Sequence, residues 1–561
     1  MVSKKGCTAN MTEISEFSRY YNEFLDGEYD CIDRIVLSAY FPMGMTPGGF
    51  RTWWNMLEET EENLDNTHLM RFAGRFSRRL RAYAAANGIT VIDCEKGERK
   101  HDIAEGYIPT APRFKGIFLI MVNRSPANVW DIQRSKDNKK VCNIAHKKNM
   151  PYVNHYSFHI IDPEWGHITI KMCGHPPFSA MIMLNGHEYV ACQARKEGVE
   201  YIKTGNCFTT VSNAARLGEL ADALCSESTV GLLSQVCDRW IYSSCLYFAL
   251  TPEEQKQSGF YYKYSVIQME YSRNFIFIRG RDMDDIFEGI VDRTRSKLDI
   301  KSTKTIFGNK RRPHNKKINS TGSRFENIVE TPTYNLTVFK LNYDKITAKM
   351  YTKGESVLRT EIVVHNSKQL KCGKSLEKFP IMAIKLKDIL NQFMDTIYCV
   401  NASFISSDNI DMLNTPSLLG KTKVGGIDIQ KPRIRAVLQS IIILSAKPGG
   451  FDLSDLSEKV KQILGDNEYS IRNAAYDLRK LRGKNIVKKI GKSRRYVTIS
   501  TGLKTITALL TIREKVIKPV LSGVCKPKRG SKPKNRSEID IHYENLCIEM
   551  EKLFQTIGVA V

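Results

Sequence analysis

Five of the eleven histidines lie within one short segment, residues 155–187. The pattern around them predicts two antiparallel strands, 152–161 and 167–173, joined by a turn at 162–166. Because side chains alternate across a strand, one face of this hairpin is predicted to be rich in imidazoles and the other to be apolar. The polar face carries His155, Ser157, His159, His167, Thr169 and Lys171. The apolar face carries Tyr156, Phe158, Ile160, Ile168, Ile170 and Met172.

Such a polar face suits metal-assisted phosphodiester chemistry, in which a divalent ion activates water or stabilises the leaving oxygen. His187 and Glu188 follow at the predicted start of a helix, where a carboxylate is favoured. Lys171 would steady developing negative charge. The predicted catalytic set is therefore His155, His159, His167, Lys171, His187 and Glu188. The expected cofactor is Mg²⁺ or Mn²⁺.

The metal ligands stay unassigned, because the spacing matches no established metal motif. HExxH is absent, and His155 and His159 would be about 13 Å apart along a strand. The alternative interpretation is a solvated sheet face, or a surface for a nucleic-acid backbone. A second constellation places Asp93, which ends a predicted strand, near Lys96, Arg99, Lys100 and His101. It is typical either of a nuclease site or of a loop salt bridge.

Residues 431–500 carry the pattern of a DNA-reading domain. Helices are predicted over 432–445, from 452 to about 464, and from a Ser470 N-cap onward. A basic hairpin follows at 486–499. Helix-turn-helix plus hairpin resembles the winged-helix DNA-binding domains of MarR-like regulators, which implies a third helix in a major groove and a wing on phosphates. The predicted contacts are Arg472, Arg479, Lys480, Arg482, Lys488, Lys492, Arg494 and Arg495. The alternative is a winged helix that only mediates protein contacts.

A predicted β meander supplies a third basic surface. Lys349, Tyr351 and Lys353 share one face of a strand, and Arg359 and Glu361 share a face of the next. The pair resembles strands of HUH-class replication initiators over about 15 residues, and that class nicks DNA with a tyrosine and a metal. The class is defined by a His-apolar-His triplet, which this chain lacks. Its nearest histidine pair, His155 and His159, has three residues between the two histidines. Lys349, Lys353 and Arg359 are predicted nucleic-acid contacts; the alternative is a Lys/Arg/Glu network facing solvent.

Composition favours a polyanionic partner. The 561 residues include 84 Lys and Arg against 60 Asp and Glu, a net charge of +24, so DNA and/or RNA is the expected partner. The bland alternative is a protein that is simply basic. The fourteen cysteines form no CxxC pair, which disfavours a zinc ribbon. No signal peptide or long apolar run is present, so we expect a cytoplasmic protein with no membrane contact.

The expected fold class is α+β and multidomain. The predicted regions are a mixed α/β N-terminal region (1–150), a central region with the His-rich hairpin and helices (151–309), a basic linker (310–324), a β-meander plus helix region (325–430), the winged helix (431–500), and a helix, basic tether and terminal amphipathic helix (501–561). MarR-type winged helices usually dimerise, so a homodimer is also expected by that resemblance.

The whole chain resembles a widespread prokaryotic protein family with a C-terminal winged helix. The residues that carry this resemblance are Tyr40-Phe41-Pro42-Met43-Gly44, Asn154-His155-Tyr156, Leu184-Asn185-Gly186-His187-Glu188 and Ala475-Tyr476-Asp477-Leu478-Arg479. The resemblance implies no particular reaction. The sequence favours a nucleic-acid-binding protein, with one hypothesis a metal-dependent nuclease or nickase of a mobile genetic element that reads its site through the winged helix. The alternative is a non-catalytic binder: a transcriptional regulator or the protein partner of a structured RNA. A third class is a protein-interaction scaffold that uses the terminal helix.

Overall fold

Helices and strands both contribute substantially to the fold, which is of the predicted α+β class. The computed structural model describes residues 15–95, 98, 100–111, 114–136, 140–297, 303–306, 324–330, 336–343, 345–401, 413–465, 468–518 and 537–556. Residues 310–323 of the predicted linker and 525–536 of the predicted tether lie outside the described residues.

Twenty strands are present in the described residues. They are β1 Leu25–Tyr40, β2 Thr90–Asp93, β3 Gly116–Pro126, β4 Trp130–Arg134, β5 Val141–His146, β6 Tyr152–Asp162, β7 Gly166–Cys173, β8 Ala180–Asn185, β9 Tyr201–Lys203, β10 Phe208–Val211, β11 Lys263–Phe277, β12 Thr303–Ile306, β13 Arg324–Glu330, β14 Leu336–Tyr343, β15 Ile346–Lys353, β16 Val357–Val364, β17 Ser417–Leu419, β18 Thr422–Val424, β19 Val487–Lys489 and β20 Tyr496–Thr498.

The α-helices of the described part of the chain include most of those that the sequence predicts. They are α1 Glu16–Tyr20, α2 Pro47–Glu58, α3 Asn66–Ala86, α4 Lys100–Glu105, α5 Gly186–Lys196, α6 Ala214–Ala223, α7 Ser228–Trp240, α8 Pro252–Gln257, α9 Gly280–Lys297, α10 Phe379–Asn401, α11 Pro432–Ser445, α12 Leu453–Leu464, α13 Ile471–Gly483, α14 Ser500–Ile512 and α15 Glu538–Thr556. None of the helices in these stretches is both long and apolar enough to cross a membrane.

One large sheet organises most of the chain. Its strand order is β12-β13-β14-β15-β16-β11-β1-β8-β7-β6-β3-β2. Neighbouring strands are antiparallel where β1 pairs with β8 and β11, and parallel where β2 pairs with β3. The segments treated above as three regions, 1–150, 151–309 and 325–430, all contribute strands to this sheet. The cause is long-range pairing, since β1 is hydrogen-bonded between β8 and β11.

The chain divides into two compact units. The sheet unit comprises Tyr21–Phe287 and Lys304–Leu390, and the terminal unit comprises Met1–Tyr20, Glu288–Thr303 and Asn391–Val561. The core of the sheet unit includes the apolar face of the β6–β7 hairpin, whose six predicted side chains are each at most 1% exposed. The predicted alternation of the hairpin is therefore confirmed, because burial of one face requires it.

Candidate functional site

The first candidate surface lies in the terminal unit and is built on three helices. Helix α11 is buried along most of its length, because apolar side chains make up most of the stretch from Ala436 to Leu444. The Asp452 side chain caps α12 by accepting from the amides of Ser454 and Asp455. Gly465 then ends α12 in the left-handed conformation, with φ of 68°. These local signals agree with the predicted helix bounds.

Helix α13 has one buried and one exposed side. The Ser470 hydroxyl caps it by accepting from the Asn473 amide at 3.2 Å. Ala474, Leu478 and Leu481 are at most 2% exposed and recur at helical spacing, so this stripe packs inward. The predicted contacts Arg472 and Arg479 are exposed on the other side, whereas Lys480 and Arg482 are half-buried.

The single carboxylate of α13 faces inward. Asp477 is 1% exposed, and it accepts from the Tyr469 hydroxyl at 2.9 Å and from Arg433 Nη2 at 3.1 Å. Burial raises the pKa of Asp477, and both contacts oppose that rise. The outer face of α13 therefore carries cations and no acidic side chain.

A basic hairpin follows α13. Its strands, β19 and β20, pair with each other. Tyr496 of β20 also exchanges two backbone hydrogen bonds with Phe451, of 3.0 and 2.8 Å. Lys488, Lys492 and Arg494 are exposed, so three of the four predicted wing cations project to solvent. The fourth, Arg495, is half-buried and donates to the carbonyls of Gly449 at 3.2 Å and Gly450 at 3.3 Å. Its contacts brace the base of the hairpin.

Two exposed apolar residues on α13 were not among the predicted contacts. Ile471 is 54% exposed and Tyr476 is 53% exposed. The Lys480 ammonium lies 4.9 Å from the centre of the Tyr476 ring, a cation–π contact. Tyr476 falls outside the buried stripe of Ala474, Leu478 and Leu481. This offset in the helical spacing is the feature of the sequence that indicates an exposed position for Tyr476.

The His-rich face of the β6–β7 hairpin is the second predicted site. Cross-strand pairs join His159 to Thr169 and Ser157 to Lys171, as alternation requires. His159 Nδ1 and His167 Nε2 lie 3.1 Å apart, and His155 Nδ1 lies 2.7 Å from Ser125 Oγ. Burial, followed by the charge of Lys171, lowers the pKa of His155 to about 4. The structure thus brings His155, His159, His167 and Lys171 onto one face.

His187 and Glu188 do not join that group. Helix α5 begins with them as predicted, because the Asn185 side chain caps it at the His187 amide. The His187 ring is fully buried, with Nδ1 2.8 Å from Asp33 Oδ1 and Nε2 3.5 Å from the Tyr29 hydroxyl. Glu188 forms a salt bridge with Lys203. The predicted six-residue catalytic set is therefore split between two places in the sheet unit.

The donor set does not fit the expected Mg²⁺ or Mn²⁺. Throughout the described stretches, no group of three or more His, Cys, Asp or Glu side chains is placed to hold a metal ion. Two imidazoles in contact are a poor site for hard cations that prefer oxygen ligands.

Arg359 requires a second correction. It was predicted to contact nucleic acid, but it is 0% exposed and forms an ion pair with Asp33. It also donates to the Asn206 carbonyl at 2.7 Å and to Asn274 Oδ1 at 3.2 Å. Although burial alone raises the pKa of Asp33, Arg359 and then His187 lower it to about 2. Asp33 was absent from the predicted set, since nothing local marks it.

The meander cations near Arg359 are also engaged. Lys353 Nζ donates to the Asn206 side chain, and Lys349 Nζ lies 3.7 Å from Glu361 Oε1. The Tyr351 hydroxyl donates to Glu361 Oε2 at 2.9 Å. The predicted strand faces are confirmed by the pairs of Lys349 with Glu361 and Tyr351 with Arg359. The Lys/Arg/Glu network of the alternative interpretation is present, but its members are buried or half-buried and do not face solvent as that interpretation expected.

The His-rich face and the meander network lie on the same side of the large sheet. A row of cross-strand pairs connects them through His159 with Thr169, Thr169 with Met183, Met183 with Val36, and Val36 with Gln268. Gln268 in turn donates to Glu270, two residues along the same face. Five strand spacings separate β6 from β16, roughly 24 Å, so these are two sites and not one.

The Asp93 constellation is a surface ion pair in the structure. Arg81 Nη2 donates to both carboxylate oxygens of Asp93, at 2.8 and 3.0 Å, and the Asp93 side chain is 66% exposed. Lys96 and Arg99 lie outside the described residues, as does the side chain of His101. Lys100 is described, and its ammonium donates to the Asn123 side chain.

Comparison with models of protein families, with curated proteins and with solved structures found no match.

Proposed function

We propose that the terminal unit contains a winged-helix module that binds duplex DNA, with α13 in the major groove and the β19–β20 hairpin against phosphates. The observation that carries the proposal is the orientation of α13: Asp477 is turned inward while Arg472 and Arg479 project outward. A helix that meets a polyanion needs this arrangement, because a carboxylate on the contact side would repel phosphates.

The charge of the segment supports the same conclusion. Residues 471–500 contain ten lysines and arginines and one aspartate, the buried Asp477. Lys488, Lys492 and Arg494 extend the exposed positive surface onto the hairpin. Phosphate contacts of this kind position a protein on the duplex but do not read its sequence.

Tyr476 and Ile471 supply what the cations lack. Apolar side chains on a groove-facing helix can contact thymine methyl groups and base edges. Both residues are more than half exposed, so their side chains are accessible to a partner. We therefore assign base contact to Tyr476 and Ile471.

B-form DNA is favoured over duplex RNA as the partner. The major groove of A-form RNA is deep and narrow and does not admit a helix of this width. Such binding would serve either transcriptional regulation or recognition of a DNA site. The metal-dependent nuclease hypothesis and the homodimer stay predictions, to be examined by cleavage assays with Mg²⁺ and by sedimentation.

The test is binding of a fluorescent 30-base-pair duplex to the full chain, followed by anisotropy over a range of salt. Arg472→Glu with Arg479→Glu is expected to weaken binding and to lower the slope of log affinity against log salt by about 2, since each lost phosphate contact removes about 0.9. The control is Lys196→Glu with Lys345→Glu, which reverses the same charge at exposed positions of the sheet unit. Equal losses in both variants would contradict the assignment, and a preference for duplex RNA would change the partner.

A further inference from the structure

Two lysines and a histidine meet on the polar side of the large sheet. His155 pairs across strands with Asn123, and Lys100 Nζ donates to the Asn123 side chain. Lys171 pairs with Ser157, the next residue of β6 on the same face as His155. Directly opposed residues have Cβ atoms about 5 Å apart, and a diagonal pair such as His155 and Lys171 about 7 Å. We name the group Lys100, Asn123, His155 and Lys171 the cation pocket.

The charges of the cation pocket have no carboxylate partner among the described residues. Neither lysine forms a salt bridge with any residue that the structure describes, and both are half-buried. Burial lowers the pKa of Lys100, the neighbouring Cys94 thiol opposes that fall, and the charge of Lys171 adds to it. The same two charges add to burial in lowering the pKa of His155. Half-buried like charges without a counter-ion are unfavourable, and a bound anion would relieve them.

The neighbouring polar groups suit an oxyanion. The carbonyl oxygen of the Asn123 side chain is occupied by Lys100, which leaves its amide nitrogen as a donor. The Ser125 hydroxyl holds the His155 ring at Nδ1. The pocket therefore offers two ammonium groups, an amide and an imidazole on one face, and the described residues place no carboxylate among them.

We propose that the cation pocket binds a phosphate group, either as free phosphate or as a phosphodiester of a nucleic-acid strand. The site lies in the sheet unit and is additional to the surface proposed on α13. It gives the His-rich face a binding role that needs no metal. Lys100 and Lys171 supply the charge, and Asn123 and His155 line the site as positioning groups.

The first measurement is thermal unfolding of the full chain in inorganic phosphate and in chloride at equal ionic strength. Phosphate is expected to raise the Tm of the native protein, because a ligand that binds only the folded state stabilises it. Lys171→Gln and Lys100→Gln are each expected to weaken phosphate binding about ten- to hundredfold, the scale of one hydrogen bond to a charged group. Lys345→Gln, at an exposed turn, is the matched control and keeps the full effect.

A second measurement identifies the source of the phosphate. An eight-residue oligothymidylate is titrated against the same variants by anisotropy. Loss of oligonucleotide binding in Lys171→Gln, with little effect of inorganic phosphate on any variant, would assign the pocket to a phosphodiester. A Tm rise with inorganic phosphate that Lys171→Gln removes would assign it to free phosphate. The proposal is wrong if both lysine variants show the same Tm shift in phosphate and the same oligonucleotide affinity as the native protein, whether these effects are large or absent.

Two further variants separate the possible causes of failure. Lys171→Arg keeps the positive charge and is expected to retain phosphate binding. It therefore still tests the role of this charge if Lys171→Gln fails to fold. Arg472→Glu with Arg479→Glu lies in the terminal unit and is expected to keep the phosphate effect while losing duplex binding. The two proposals therefore succeed or fail independently.

Discussion

Asp33 and His187 are joined by a 2.8 Å contact between Oδ1 and Nδ1, and both side chains are almost completely buried. The other oxygen of Asp33 pairs with Arg359, and Oδ1 also accepts from the Ser272 hydroxyl at 3.1 Å. One carboxylate thus ties β1 to β16, β11 and the start of α5. Burial lowers the pKa of His187, and the charge and hydrogen bond of Asp33 oppose that fall.

Removing the Asp33 charge is expected to destabilise the sheet unit strongly. Asp33→Asn leaves the Arg359 charge buried without a counter-ion, which typically costs about 3–5 kcal/mol. Urea unfolding followed by circular dichroism measures the change. Asp93→Asn is the control, since its pair with Arg81 is exposed and should contribute less than about 1 kcal/mol. Similar losses in the two variants would argue against a central role for Asp33.

Glu270 makes stability depend on pH. Burial, followed by the charges of Glu361 and Asp33, raises its pKa to about 7. The folded protein binds this proton more tightly than the unfolded chain does. The free energy of unfolding therefore falls as pH rises from the ordinary carboxyl pKa, near 4.5, towards 7. Glu270→Gln should remove this dependence and be more stable than the native protein at pH 8. Urea midpoints from pH 4.5 to 8 test this, with the exposed Glu355→Gln as control.

Tyr476 is expected to contribute to DNA affinity and little to stability. Its side chain is half-exposed, so Tyr476→Ala should leave the Tm nearly unchanged. Duplex binding should weaken about fivefold to tenfold, the scale of one apolar contact. Tyr476→Phe keeps the ring and should bind nearly as well as the native chain. Anisotropy at one salt concentration is sufficient, and undiminished binding by the alanine variant would remove Tyr476 from the interface.

Gly450 lies against the backbone of Tyr496 in β20, at a position that requires glycine. Its φ is 77°, and a Cβ at this position would lie 2.5 Å from the Tyr496 carbonyl oxygen. Gly450→Ala should therefore displace β20, lower the Tm and weaken duplex binding together. Gly465→Ala is the matched control, because φ there is 68° but nothing lies within 4 Å of the added Cβ. That variant should lose only about 1 kcal/mol of stability and keep its DNA affinity.

Short-range patterns were enough to predict much of the terminal unit. The three helices predicted at 432–445, 452–464 and from 470 are α11, α12 and α13, and the hairpin follows them. Capping residues, glycines and apolar periodicity act within a few residues of one another, so the sequence shows them directly. The same holds for the β6–β7 hairpin, where alternation alone separates the His-rich face from the buried one.

Only the tertiary structure could show which of these elements meet. Asp33, His187 and Arg359 are far apart along the chain, and nothing near any of them marks it as part of an ion-paired group. Their contact depends on the pairing of β1 with β11 and of β11 with β16, which brings distant segments together. The same long-range pairing buries Arg359, whereas the pairing of β3 with β6 and of β6 with β7 sets Lys171 near Lys100. The sequence by itself determined the local elements and their faces, because these depend on neighbouring residues. The sites were decided by the tertiary structure, because strand order and burial depend on the whole sheet.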